Sequence, residues 1–296
     1  MIKIHKKSDK MLILGFVLPA LLIYVAFQII PLIGALVFSV SKWNGLAVSP
    51  VKFVGLDNFK ILLNDKNFLI SLKNMIKMVV FSVGFHTPIA LLLAVAINSK
   101  CRGHKLFKAI FFVPTIFPLT AVGLMWYFIF MPNGALNLFL KSVNLHQHVV
   151  PWLINESTAM NAIISVNIWV GVGFYMVILL AGLATIPDEL YEAAQIDGAN
   201  SIKQFFLITI PMLKPIIGIC IVMDIIGSIK VFDLIFAMTE GGPNGLTNLP
   251  TTLLYYESFR YDNFGKGSAI GVLLLLLALS LVFLSNFLTG EKRRSK

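Results

Sequence analysis

The chain has 296 residues, of which 57% are hydrophobic and 13% are charged, and its formal net charge is +10. A soluble domain carries about 25% charged residues, so this composition excludes an ordinary soluble globular protein, and the mean hydropathy of +0.85 indicates a chain that lies in a lipid bilayer. Two cysteines, Cys101 and Cys220, are too few for a disulfide framework.

Six apolar stretches are long enough to cross a bilayer as helices. A hydrocarbon core about 30 Å thick requires about 20 apolar residues per helix, whereas barrel strands are shorter and alternate in polarity. The sequence therefore predicts an all-α, polytopic membrane protein with one transmembrane domain over 1–296, in which helices satisfy the backbone hydrogen bonds. The predicted spans are about 12–38, 78–97, 109–131, 159–183, 216–238 and 268–288.

Lysine and arginine near the span ends predict the orientation. They cluster in three segments that lie on one side of a six-span protein, and this side is predicted to be cytoplasmic. We therefore expect a multi-pass protein of the cell (inner or cytoplasmic) membrane with both termini in the cytoplasm, and no nucleic-acid partner. The clustered residues are Lys3, Lys6, Lys7 and Lys10; Lys100, Arg102, Lys105 and Lys108; and Lys292, Arg293, Arg294 and Lys296.

Short helices are predicted in two outer segments, and prolines interrupt the third span. Residues 53–63 have the pattern of an amphipathic helix with Asp57 as its candidate N-cap, and 135–143 is a predicted short helix after a turn. Pro114 and Pro118 remove backbone donors within the third span. They indicate either a kink for helix packing or a bend that lines a substrate path.

The histidines do not indicate a metal site. His86, in the second span, is predicted to be a hydrogen-bonded interior residue rather than a ligand. His146 and His148 share the spacing of one strand face, but no third ligand is evident. No nucleophile and base stand together, so the sequence predicts no catalytic residues.

Polar residues inside the fourth span are candidates for substrate contact. Asn167 and Gly171 are four residues apart and lie on one helix face, with Trp169 between them. An amide can donate to and accept from sugar hydroxyls, an aromatic plane can cover a sugar ring, and glycine lets a ring approach the backbone. The alternative is that Asn167 and Gly171 serve helix packing.

The fifth span carries three charged residues. Lys230 and Asp233 are three residues apart, so they are predicted to pair along one helix face, whereas Asp224 is nearly two turns from Lys230. These charges either form ion pairs screened by protein or by another subunit, or face an aqueous cavity and contact a charged or strongly hydroxylated substrate.

The loop 184–214 is acidic, although the other predicted cytoplasmic segments are basic. Pro187 suits a helix start, and Gly198 is predicted to end that helix; a second short helix over 199–208 is expected to end before Pro211 and Pro215. The product is a helix–turn–helix that projects from the membrane and either docks with a partner or is a solvated loop. Its acidic residues are Asp188, Glu189, Glu192 and Asp197.

This loop resembles the EAA motif of the permease subunits of binding-protein-dependent ABC importers. The resemblance implies that the loop is a coupling helix seated in a groove of an ATPase subunit, that Glu192 pairs with a basic residue there and that Gly198 makes the turn. The matching residues are Glu192, Ala193, Ala194, Asp197, Gly198, Ala199, Phe205, Ile208 and Pro211.

The resemblance extends over nearly the whole chain to carbohydrate permeases of the maltose-type group. It is carried by Trp43-Asn44-Gly45, by the segment 53–59 and by Gly241-Gly242-Pro243 with Thr247, and the subgroup is similar to glycerol-phosphate, multiple-sugar and raffinose permeases. It implies sugar contacts at Asn167, Trp169 and Gly171. Thr115 stands where the maltose permease has an aromatic residue, and Ser228, Lys230 and Val231 replace an Asn-rich patch, which argues against maltose itself.

The resemblance implies a non-catalytic permease subunit of an ATP-driven importer, and it implies a carbohydrate substrate, expected to be an oligosaccharide. The implied partners are a second homologous permease, two ABC ATPase subunits that bind ATP and Mg²⁺, an extracytoplasmic binding protein and the lipid bilayer. No cofactor or metal is expected in this chain. The alternatives are an ion-coupled secondary transporter that uses Asp224, Lys230 and Asp233, and an ABC importer for a non-sugar polar solute such as a phosphorylated polyol.

Overall fold

The structure is a computed structural model that describes residues 7–99 and 103–289, with side chains described for 15–99 and 103–285. Several predictions fall on residues outside these ranges. They concern Cys101 and the basic residues Lys3, Lys6, Lys100, Arg102, Lys292, Arg293, Arg294 and Lys296.

The described residues are almost entirely helical. The helices are α1 Lys7–Tyr24, α2 Ile30–Ser39, α3 Asp57–Asn64, α4 Lys66–Asn98, α5 His104–Ile116, α6 Leu119–Phe130, α7 Ala135–Ser142, α8 Ala159–Leu183, α9 Asp188–Ile196, α10 Ser201–Gln204, α11 Ile210–Ile229, α12 Asp233–Thr239, α13 Pro250–Phe259 and α14 Phe264–Thr289. Strands β1 Ser41–Lys42 and β2 Lys52–Phe53 pair antiparallel, and His146–His148 is a 3₁₀ turn. The predicted all-α class is confirmed.

Six helical segments in the described part of the chain are long and apolar enough to cross a membrane, as predicted. They are Gly15–Ser39, Lys66–Asn98, Leu119–Ser142, Ala159–Leu183, Ser201–Ile229 and Phe264–Ser285. The second begins at Lys66 rather than near 78, because the Asp65 carboxylate caps it by accepting the Asn67 N–H at 2.9 Å. At about 1.5 Å per residue, α4 is about 50 Å long and exceeds the hydrocarbon thickness.

The third predicted span is two helices rather than one kinked helix. Helix α5 contains Pro114 and ends at Ile116, and α6 begins at Leu119. Phe117 is extended, with φ −75° and ψ 144°. A residue before proline is driven out of the helical region by the proline ring, so Pro118 forces the break.

The fifth predicted span is also corrected. Pro211 and Pro215 do not end the preceding helix, because helical structure runs without a break over Ser201–Ile229. A π-helical turn, Phe205–Thr209, stands immediately before Pro211, and the Ile210 N–H donates to the Phe205 carbonyl five residues back. The first span repeats this arrangement, with a π turn at Val25–Ile29 followed by Pro31. The wider turn accommodates a residue that lacks an N–H and whose ring crowds the turn before it.

The predicted pairing of Lys230 and Asp233 along one helix face is wrong. Helix α11 ends at Ile229 with Lys230 as its C-cap, and Asp233 begins α12. Both side chains are exposed, and among the described residues no ion pair joins them.

The chain divides into two compact units. The larger comprises, within the described residues, Asp65–Leu253 and the segment from Leu274 onward. Its most extensive helix contacts join α4 to α8, and α11 packs on both. The interior contains fully buried Met78, Ile163, Met176 and Leu179. Cys220 lies in α11, within the predicted fifth span, and is buried.

The smaller unit contains the described part of 1–64 together with Leu254–Leu273. Buried Asn58 on α3 donates to the carbonyls of Ser39 and Ser41, both at 2.9 Å. The Trp43 ring stacks on Phe38, and the Trp43 carbonyl accepts the Gly265 N–H at 3.1 Å. The predicted outer helix near 53–63 is confirmed as α3, and the predicted helix at 135–143 is confirmed in the larger unit as α7.

Candidate functional site

The acidic loop begins with helix α9. Pro187 occupies the N-cap position, and Asp188 and Glu189 lie in the first turn, where carboxylates favour the positive end of the helix dipole. At the other end, the Gly198 N–H donates to the Gln195 carbonyl at 3.0 Å, and the Ala199 N–H donates to the Ala194 carbonyl at 2.8 Å. This pair of bonds is a Schellman motif, which requires positive φ at its glycine.

Gly198 supplies that conformation with φ +77°, so the predicted role of Gly198 in making the turn is confirmed. Asn200 then caps α10, because its side-chain oxygen accepts the Lys203 N–H at 2.9 Å. The Tyr191 hydroxyl lies 3.0 Å from Thr209 Oγ1 and ties α9 to the start of the fifth span. The predicted helix–turn–helix is therefore a rigid, internally bonded unit.

The residues of the EAA pattern divide into anchors and an exposed face. Phe205 and Ile208 pack against the hydrophobic cluster that contains Leu183 and Leu213. Glu192 and Asp197 are exposed, and neither carboxylate takes part in an ion pair in the described part of the chain. The remaining pattern residues are exposed Ala193, Gly198 and Pro211 and half-buried Ala194 and Ala199.

The exposed face of the loop is also apolar. Ile196 is 87% exposed and Leu207 is 72% exposed. A cavity of about 510 Å³ opens beside this face between the loop and the ends of α4 and α8, with Asp188, Glu192 and Asn98 in its lining. Charged and apolar groups without intramolecular partners are what a docking surface presents.

The polar residues of the fourth span mainly contact neighbouring helices. Asn167 Nδ2 donates to Ser82 Oγ on α4 at 3.0 Å. A Cβ added at Gly171 would lie 2.5 Å from His86 Nε2, so glycine is required for the close approach of the imidazole. These contacts agree with the helix-packing alternative for Asn167 and Gly171, and their assignment as sugar contacts stays a prediction.

Trp169 differs from its two neighbours because its side chain is 43% exposed. Its ring meets the Trp126 ring edge-to-face, with centroids 5.5 Å apart, and Trp126 packs in turn on Phe130. Thr115 Oγ1 donates to the Val170 carbonyl at 2.8 Å, which joins α5 to the same part of α8. Thr115 thus fixes the backbone next to Trp169.

The candidate contacts in the fifth span do not form one cluster. Ser228 is buried and its hydroxyl donates to Asp224 Oδ1 at 3.4 Å, whereas Lys230 is exposed at the end of α11. His86 is buried and hydrogen-bonded, as the sequence predicts, and its main partner is Asp224. This pairing was not predicted, although a histidine and an aspartate within apolar spans are a signal for it.

The described residues contain no group of three or more histidine, cysteine, aspartate or glutamate residues that could hold a metal ion. His146 and His148 lie together in an exposed 3₁₀ turn.

Residues 86–293 match the model of a family described as the binding-protein-dependent transport system inner membrane component. The chain belongs to this family. This permease is 33% identical to the trehalose/maltose transport system permease protein MalF of Thermococcus litoralis, over 89% of this chain and 88% of that one. It is 32% identical to the arabinooligosaccharides transport system permease protein AraP of Bacillus subtilis, over 93% of this chain and 88% of that one.

The fold of the permease is also found among solved structures. A chain of a bacterial alginate ABC transporter, solved in complex with an alginate pentasaccharide-bound periplasmic protein, superposes with a TM-score of 0.83 at 25% identity and covers 98% of the permease and 96% of that chain. The predicted permease family and fold are confirmed, and the ABC importer is favoured over an ion-coupled secondary transporter. The permease is an integral membrane component of a transport complex.

Proposed function

We propose that the permease translocates a carbohydrate, of oligosaccharide size, that an extracytoplasmic binding protein delivers, and that ATP hydrolysis by partner subunits drives the step. The observation that carries the proposal is the exposed, unpaired acidic face of α9 in a chain of this family. The sugar assignment is supported by the names of MalF and AraP, which match this chain over most of its length.

The permease itself is proposed to be non-catalytic, with ATP and Mg²⁺ bound by two ATPase subunits. Glu192 and Asp197 would meet basic side chains in a groove of the ATPase, and Ile196 would fill an apolar part of that groove. A desolvated charge pair beside an apolar anchor is the arrangement that dominates binding energy at interfaces. A second, homologous permease completes the membrane path.

Trp169 is the proposed sugar contact that the structure leaves accessible. An exposed indole face can cover the apolar face of a pyranose, whereas Asn167 and Gly171 lie on the opposite face of α8, against α4, and would not contact the same sugar. Exposed Lys230 favours an anionic or strongly hydroxylated solute. The alternative function that this side chain supports is import of a phosphorylated polyol.

We propose an inner (cytoplasmic) membrane location with cytoplasmic termini. The end of α4, at Asn98 and Ser99, lines the same cavity as the acidic loop, so these segments lie at one end of the larger unit. Lys105 and Lys108 follow in the next helix. Basic residues close to span ends favour the cytoplasmic side, which is also the side of an ATPase.

The test is purification of the tagged chain in mild detergent from membranes that express its neighbours, followed by mass spectrometry and an uptake assay. Recovery of a P-loop ATPase, a second EAA-bearing permease and a binding protein is expected. Uptake of radiolabelled trehalose or arabinotriose should fail after ATP depletion and survive collapse of the proton gradient. A chain recovered alone, with uptake that follows the proton gradient, would overturn the proposal.

A further inference from the structure

One ionisable pair lies deep within the larger unit. His86 on α4 and Asp224 on α11 have side-chain exposures of only 3% and 2%, and His86 Nδ1 lies 2.9 Å from Asp224 Oδ1. On the other side of the imidazole, Nε2 lies 3.1 Å from the backbone carbonyl oxygen of Asn167 on α8. One ring therefore joins three membrane-spanning helices.

The chemistry of these contacts fixes the number of protons. A carbonyl oxygen can only accept, so the proton at Nε2 is donated to Asn167. The 2.9 Å contact at Nδ1 needs a second proton, because an unprotonated ring nitrogen and a carboxylate oxygen are both acceptors. That proton is either on Nδ1, in an imidazolium–carboxylate pair, or on Asp224, in a neutral pair. In both forms the net charge of the pair is zero.

The surroundings require this neutrality. Among the described residues, the other titratable groups that interact with the pair are the Tyr175 hydroxyl on α8 and the Cys220 thiol on α11, and the Tyr175 ring centroid lies 5.2 Å from that of the imidazole. Ser228 adds one hydroxyl to Asp224 Oδ1. An ionised carboxylate in such a place without a compensating proton is strongly disfavoured.

The pair also fixes the direction of α8. His86 holds the Asn167 carbonyl and fits against Gly171, which lie on one face of α8. Trp169 is two residues from each and, at about 100° per residue, points to the opposite side of the helix. A rotation of α8 that released His86 would therefore also turn the indole away from its present position.

We propose that His86 and Asp224 share a proton and that His86 is the positioning residue for Trp169, a role that rests on the proposed sugar contact at Trp169. The pair sets the angle at which the indole is presented to the sugar, and it does so without touching the sugar. Asp224→Asn should preserve the position, because its amide N–H can donate to Nδ1 while Nε2–H still donates to Asn167.

The first test uses the assembled transporter, reconstituted with its ATPases and binding protein, and measures trehalose and arabinotriose uptake. His86→Ala should raise KM about 10-fold while kcat changes little, and Asp224→Asn should leave KM within about 2-fold of the parent. Thr87→Ala is the matched control, since Thr87 is the buried neighbour of His86 and its hydroxyl has no hydrogen-bond partner in the described residues. A lower kcat at unchanged KM in His86→Ala would identify a merely structural role and overturn the positioning inference.

Trp169→Ala distinguishes the positioning role of His86 from the sugar contact at Trp169 on which that role rests. If Trp169→Ala and His86→Ala both raise KM, positioning is supported. If Trp169→Ala alone raises KM, the positioning inference fails and the sugar contact stands. If Trp169→Ala leaves KM unchanged, the sugar contact at Trp169 fails, and the positioning role fails with it.

The second test addresses the proton and needs no sugar. Infrared spectra of the parent complex, with those of Asp224→Asn and His86→Gln subtracted, isolate the bands of the two side chains. We expect either a protonated carboxyl with a neutral ring or a carboxylate with an imidazolium. A carboxylate together with a neutral ring at neutral pH would overturn the shared proton.

Discussion

The acidic loop and the polar cluster beneath it use charge in opposite ways. Glu192 on α9 and Asp197 at its C-cap are exposed and have no ionic partner in the described part of the chain. Both carboxylates can therefore form ion pairs with another protein. Between α4, α8 and α11, His86 and Asp224 are buried and paired with each other. The comparison teaches that an exposed unpaired charge indicates a partner, whereas a buried paired charge fixes the protein's own geometry.

The sharpest way to break this comparison is a charge reversal on the loop. Glu192→Lys should leave folding intact, because the side chain is exposed and forms no ion pair within the described residues. It should reduce binding-protein-stimulated ATPase activity and uptake by at least about 30-fold, since a like charge at a docking groove costs several kcal/mol. Thermal melting in detergent and ATPase assays of the reconstituted complex check both parts.

Glu156→Lys is the matched control, because Glu156 is an exposed glutamate in the loop before α8, away from α9. It makes the same change in net charge. Normal coupling in Glu192→Lys, or equal loss in Glu156→Lys, would contradict the assignment of α9 as the docking element.

A smaller change tests the buried side of the comparison. Gly171→Ala places a Cβ 2.5 Å from His86 Nε2, so the imidazole or α8 must shift. We expect a loss of about 1–3 kcal/mol of stability, typical of overpacking, seen as a lower melting temperature before any effect on ATPase docking.

Gly84→Ala on α4 is the control for Gly171→Ala, because a Cβ at Gly84 meets no atom within 4 Å from the rest of the described residues, apart from its own helix backbone. It makes the same chemical change in a neighbouring span. Equal melting temperatures for the two variants would show that the approach of His86 to α8 is not tight.

The smallest expected effect is at Tyr191, which links α9 to the helical segment that continues to Asp224. Tyr191→Phe removes the hydrogen bond between the Tyr191 hydroxyl and Thr209 Oγ1 and leaves the ring in place. Because Thr209 is buried, we expect a cost of about 1 kcal/mol and a modest rise in basal ATPase activity without binding protein. Tyr261→Phe, at an exposed position, controls for the chemistry of the change, and an unchanged basal rate in Tyr191→Phe would show that the bond does not hold α9 in place.

The sequence predicted the features that depend on residues close together along the chain. Apolar length located six spans, and Pro187 and Gly198 marked the ends of α9, because capping and left-handed turns are local properties. The pairing of His86 with Asp224 joins residues 138 positions apart, and no local pattern reveals which two spans will pack. The same limit explains why the sequence does not reveal that the nearest neighbour of Gly171 is an imidazole from another helix.

Whether a proline ends a helix is also difficult to predict from the sequence, for a different physical reason. Pro118 breaks the third span because it drives the preceding residue out of the helical conformation. Pro211 and Pro215, by contrast, lie within an apolar helix that continues through them. The difference is the π turn before Pro211, which a sequence pattern does not display.

The unbroken helix over Ser201–Ile229 has a mechanical consequence. Its first turn follows directly from the docking loop, and Asp224 lies near its far end, about 35 Å away at about 1.5 Å per residue. A tilt of only about 5° at the docking end moves a point at that distance by about 3 Å. In the proposed function, movement of the docking loop during the nucleotide cycle would reach the segment that carries Asp224 through one continuous helix, and the π turn Phe205–Thr209 with Pro211 and Pro215 marks where that helix can bend.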